Sequence, residues 1–92
     1  MIKHVLFYES ADDVMTRALE HFEAHVGHYT RFREAGTLLA IGTFADPQAE
    51  GSMAIFTTGE AANAFAEGDP FVRNGVVRRW TVREWDDVLD EG

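Results

Sequence analysis

Histidine is the side chain best suited to moving protons near neutral pH. This chain places three of its four histidines, His21, His25 and His28, in one short stretch. At helical spacing, about 100° per residue, His25 falls inside an apolar stripe formed by Val14, Ala18, Leu19, Phe22, Val26, Tyr29 and Phe32. His21 and His28 sit just beyond one edge of it. Three assignments fit this pattern. His25 can be a hydrogen-bonded histidine at the core margin. The trio can share a metal ion, because i, i+3 and i, i+4 spacings bring imidazoles together. Or His25 can be a general acid–base group held by a second residue. No neighbouring Asp or Glu completes an obvious facial ligand set, so no metal is expected.

Asp69-Pro70-Phe71 is the second candidate. An Asp before Pro commonly bonds backbone amides in a turn; it can equally offer its carboxylate to a neighbouring side chain. Arg73, Arg78, Arg79 and Arg83 make up half of the eight basic residues and gather near the C-terminus. They can balance acidic surface, or one of them can hold a carboxylate or phenolate ligand.

The elements that must position these residues read in order. Ile2 to Tyr8 is a strand, apolar on both alternating faces. Ala11-Asp12-Asp13 opens a long helix, with Asp12 or Asp13 available as a cap, and Gly36 closes it. Thr37 to Phe44 and Ser52 to Thr58 are strands joined by a loop containing Pro47 and Gly51. Gly59 to Gly68 is a short Ala-rich helix, which Pro70 prevents from continuing. Val76 to Trp85 is the last strand, and an acidic tail follows from about residue 86. The order strand–helix–strand–strand–helix–strand predicts one α+β domain over residues 1–92, ferredoxin-like, a four-stranded antiparallel sheet with two helices on one face. Large side chains on the helix-free face, among them Val5, Phe7, Met53 and Ile55, predict a homodimer that packs sheet against sheet.

Composition narrows the function. The chain has no cysteine, which removes thiolate nucleophiles and zinc–sulfur sites. A net charge of −8 repels nucleic acid and anionic lipid. No apolar run reaches the roughly 20 residues that span a bilayer, and the N-terminus lacks the order of a signal peptide. A cytoplasmic location with a small-molecule partner is the expectation.

These residues, in this order, resemble the YCII-related (YciI-like) family. The similarity is carried by His25 in the long helix, Gly36-Thr37-Leu38-Leu39 and Gly42, then Gly68-Asp69-Pro70-Phe71, Gly75-Val76 and the strand ending in Trp85. Two positions depart from the usual pattern: Phe22, where an arginine often precedes the histidine by three, and Gly42-Thr43, where Gly-Pro is common. The resemblance implies a ferredoxin-like subunit of the dimeric α+β barrel kind with a His–Asp site, and His25 and Asp69 match that pair. A few members of that family act on small ring compounds, one by eliminating chloride from a chlorinated hydroquinone.

A carboxylate bonded to His25 would fix one tautomer and leave the other nitrogen free to move a proton. Such a pair suits cofactor-independent isomerisation, elimination or tautomerisation of a small cyclic or aromatic molecule. Phe7, Tyr8, Phe56, Phe71 and Trp80 are available as an apolar wall, with Tyr8, Phe71 and Arg79 assigned to substrate contact and one arginine available for a developing oxyanion. The alternative is a non-catalytic ligand-binding or oligomerisation module in which His25 and Asp69 only clamp the helices together.

Overall fold

The computed structural model describes residues 1–92. Its elements run β1 (Ile2–Ser10), α1 (Val14–Glu34), β2 (Leu38–Thr43), α2 (Pro47–Glu50), β3 (Ser52–Phe56), α3 (Gly59–Gly68), α4 (Pro70–Arg73) and β4 (Val77–Asp86). The sheet is antiparallel throughout, in the order β2-β3-β1-β4. This is the ferredoxin-like α+β fold, with the long helices on one face. None of its helices is long and apolar enough to cross a membrane.

Alternation along the strands sorts the side chains. Leu6 pairs with Ala54 and Val82, and Tyr8 with Trp80. These point toward the helices, where Leu38, Phe56, Ala62, Phe65 and Ala66 complete the core. Val5 pairs with Ile55 and Arg83, and Phe7 with Met53 and Thr81, on the opposite face. There Phe7, Met53 and Ile55 are half-buried, and Trp85 is 46% exposed.

Three local features differ from the sequence reading. The loop before β3 winds into the one-turn α2, because Asp46 caps it by accepting from the Ala49 amide (3.3 Å) and Pro47 occupies its first position. That turn carries Gln48 to the start of α1. Gln48 Oε1 accepts from the Val14 amide (3.0 Å) and its Nε2 donates to the Ala11 carbonyl (2.8 Å), so neither Asp12 nor Asp13 caps α1 through its side chain. Asp69-Pro70-Phe71 opens the one-turn α4 in place of a plain turn; in the acidic tail, Lys3 Nζ holds Asp87 (2.7 Å) and Asp90 (3.1 Å).

Gly36 ends α1 in the left-handed region (φ 81°), as expected of that glycine. Gly51 is needed for a tighter reason. At φ 74° a β-carbon would lie 1.9 Å from the Tyr8 carbonyl oxygen, so only glycine lets β3 begin this close to β1.

Candidate active site

His25 lies in the middle of α1, but the apolar stripe is turned from its expected direction. Val14, His25 and His28 are the buried residues of the helix, while Leu19 and Phe22 are 76% and 53% exposed. Polar pairing sets this rotation. His28 donates from Nε2 to the Phe65 carbonyl on α3 (2.8 Å), and His25 reaches the α3–α4 junction. Gly68 makes room there, since a β-carbon would stand 3.0 Å from the His28 ring.

Asp69 occupies that junction. Its backbone is extended (φ −66°, ψ 123°), as a residue before proline prefers. Its side chain caps α4 by accepting from the Phe71 amide at 3.0 Å. The same oxygen, Oδ1, accepts from His25 Nδ1 at 2.8 Å. Oδ2 accepts from the Tyr8 hydroxyl at 2.6 Å. Asp69 is fully buried (0%), and these three donors are what satisfy it there. The turn and the side-chain partnership are therefore one arrangement.

The carboxylate accepts the Nδ1 proton, which leaves the lone pair of a neutral His25 ring on Nε2. Nε2 has no partner within the protein, and no fully buried side-chain polar atom lacks one, so Nε2 is open to a ligand. The Phe71 ring stacks on the imidazole at 3.7 Å with 5° between planes, and Tyr29 meets it edge-on at 5.3 Å. The ring is held on both sides. Burial, then the charge of Asp69, pushes the Tyr8 phenol well above its ordinary value, so it keeps its proton.

His25 and Tyr8 line a cavity of about 280 Å³ between α1 and the β2–β3–β1 part of the sheet. Phe71 lines it too, with Ile41, Phe65, and Phe22 and Tyr29 of the apolar stripe. Tyr29 stands one helical turn after His25, a spacing that could have marked it as a cavity neighbour. Phe7, Phe56 and Trp80 are not in the lining.

Arg79 lies elsewhere. It pairs in register with Glu9, and alternation sends both to the helix-free face, where Arg79 Nη2 meets Glu9 Oε2 at 2.9 Å. No arginine or lysine lines the cavity. No cluster of three or more His, Asp and Glu side chains is placed to hold a metal.

Residues 2–86 match the YCII-related domain. No curated protein sequence matches the chain. Among solved structures it is similar to the 5-chloro-2-hydroxyhydroquinone dehydrochlorinase of Burkholderia phenoliruptrix, determined with 2,5-dihydroxybenzoquinone (TM-score 0.70, 18% identity, 94% of each chain). It is also similar to a protein of Agrobacterium tumefaciens (TM-score 0.58, 10% identity, 94% of this chain and 92% of that one). A third is the heme degrader of Mycobacterium tuberculosis with two hemes in its active site (TM-score 0.54, 17% identity, all of both chains). At these identities the likeness is one of fold.

Proposed function

Since the chain belongs to the YCII-related family, we propose that it is a cofactor-independent enzyme in which His25 and Asp69 move a proton on a small cyclic or aromatic molecule. One observation carries this reading. A fully buried carboxylate holds one nitrogen of His25, and the other nitrogen is open at an apolar cavity large enough for a substituted ring.

In the proposed reaction His25 Nε2 takes the proton from a ring hydroxyl or an enolisable carbon. The electron pair left behind forms a carbonyl or shifts a ring double bond. Returning the proton to another ring atom completes an isomerisation. If the proton returns instead to the halogen-bearing ring carbon, that carbon becomes saturated; loss of a second hydroxyl proton to His25 then expels the halide with its bonding pair, an elimination with net loss of the hydrogen halide. Asp69 holds the ring in the productive tautomer and offsets the imidazolium charge, and Tyr8 holds Asp69. The activity of the Burkholderia phenoliruptrix dehydrochlorinase makes elimination from a halogenated hydroquinone the first reaction to try.

The test is chloride release from 5-chloro-2-hydroxyhydroquinone, and absorbance change with unhalogenated hydroxylated rings, for wild type, His25→Ala and Asp69→Asn. The expected loss is about 10²-fold or more in each variant; variants that stay folded and turn over at the wild-type rate refute the proposal. A second reading rests on the three bonds of Asp69, which tie β1, α1 and α4 together. In it the pair is a clamp and the cavity only binds its ligand. Binding of ring compounds without conversion of any would select this one.

The proposal includes a homodimer through the helix-free face, where Phe7, Met53, Ile55 and Trp85 present apolar surface. Light scattering at micromolar concentration should give twice the chain mass; a monomer would remove this part.

A further inference from the structure

The hydrogen-bond polarity of the cavity and its lack of cations restrict what can enter it. Tyr8, His25, Tyr29, Thr43 and Ser52 are its polar lining, and none is Lys, Arg, Asp or Glu. The nearest fixed charge is negative: Asp69, directly behind His25 (2.8 Å) and Tyr8 (2.6 Å). No arginine is among the lining residues. Arg78 and Arg79 pair with Glu9 and Asp12, and Arg31 faces His28 Nδ1 at 3.4 Å.

At the end against Asp69 the direction of each bond is fixed. The His25 Nδ1 proton and the single Tyr8 proton both go to Asp69. With the His25 ring neutral, what remains for a ligand there is a lone pair on Nε2 and lone pairs on the Tyr8 oxygen. The hydroxyls of Tyr29, Thr43 and Ser52 can donate or accept, but they bring no charge.

We infer that the cavity selects an uncharged single-ring compound that donates an O–H to His25 and Tyr8, and that it rejects the anionic analogue of the same shape. An anion entering here gives up its water, meets lone pairs backed by a buried carboxylate, and finds no cation in return. It can be accommodated only by bringing a proton with it to His25. A neutral phenol or enol needs no such uptake, and its hydroxyl proton is the one His25 is placed to receive. The inference deepens the proposed reading and rests on this cavity being the ligand site. It does not require that the ligand be converted.

The test is calorimetric or NMR-detected binding of two matched pairs to the intact protein at pH 7.5. 4-Hydroxybenzamide and 4-hydroxybenzoate share a shape and differ in charge; phenol and fluorobenzene share a size and differ in the O–H donor. The amide should bind at least ten-fold more tightly than the carboxylate, and phenol more tightly than fluorobenzene. Tyr8→Phe should narrow the gap between phenol and fluorobenzene. Equal or tighter binding of 4-hydroxybenzoate overturns the inference. So does fluorobenzene matching phenol, or failure of all four to bind at millimolar concentration. The expected selectivity in a protein that converts no ring compound would keep this inference and remove the catalytic one. A preference for 4-hydroxybenzoate, in a protein whose turnover is lost on Asp69→Asn, would do the reverse.

Discussion

His25 and His28 stand three residues apart on α1, and both are buried, yet they are wired differently. His28 has a partner at each nitrogen: Nε2 donates to the Phe65 carbonyl (2.8 Å), and Nδ1 faces the Arg31 guanidinium (3.4 Å). A carbonyl can only accept and a guanidinium can only donate, so the arrangement fits the neutral Nε2–H tautomer with nothing left over. His25 has Nδ1 committed to Asp69 and Nε2 open to the cavity. Burial alone therefore does not distinguish a packing histidine from one equipped for chemistry. The free nitrogen does.

Substitutions on α1 and its partner turn sharpen that contrast, and the largest effect expected is on rate. In Asp69→Asn the amide oxygen can still accept from the Phe71 amide and from His25, so shape is largely kept. The charge that stabilises the imidazolium is lost, and turnover should fall by about 10²-fold or more in steady-state assays. His28→Leu should leave turnover near wild type while lowering stability by about 1–3 kcal/mol in urea unfolding, because the Phe65 carbonyl loses its donor. A His28 variant that is stable but inactive would break the comparison.

Tyr8 extends it to alkaline pH. Its native phenol is held above the ordinary value of 10.0, chiefly by burial, so the folded state keeps a proton that the unfolded state releases. Its contribution is complete below pH 10.0 and declines as pH rises. Wild type should lose stability more steeply above that pH than Tyr8→Phe, which itself should cost about 1 kcal/mol at neutral pH. Parallel curves would show that the folded state does not hold the Tyr8 phenol above its ordinary value.

The smallest effect is expected at the terminal clasp. Asp87 is held below its ordinary 3.8 first by its bond from Lys3, and Asp90 first by its bond from the Gly92 amide. Their contribution is present above pH 3.8 and is lost as pH falls below it. Lys3 is raised above 10.5 by Asp87, so its part is complete below that pH and lost above it. Lys3→Met should flatten the acid limb of a thermal-shift profile slightly, and salt should do the same to wild type.

The element order is readable from the sequence because it is set locally; the pairing of His25 with Asp69, 44 residues apart, is expected from the family resemblance. Periodicity sets the face of His25 on α1, and Pro70 fixes the turn that carries Asp69. What is not readable depends on register between distant strands. Whether Arg79 faces the cavity or Glu9 is decided by the pairing of β1 with β4. A one-residue change there reverses it. The capping of α1 by Gln48 depends on a turn far along the chain. The burial of His28 depends on Phe65, whose carbonyl has no signal in the pattern of α1.

The most direct test of the central claim is the tautomer and ligand response of the two imidazoles, read from long-range ¹H–¹⁵N NMR spectra of their neutral forms. The account predicts Nδ1–H for His25 and Nε2–H for His28. On adding phenol, the Nε2 signal of His25 should shift while His28 stays unchanged. An Nε2–H tautomer at His25, or a His28 that responds to the ligand while His25 does not, would contradict it.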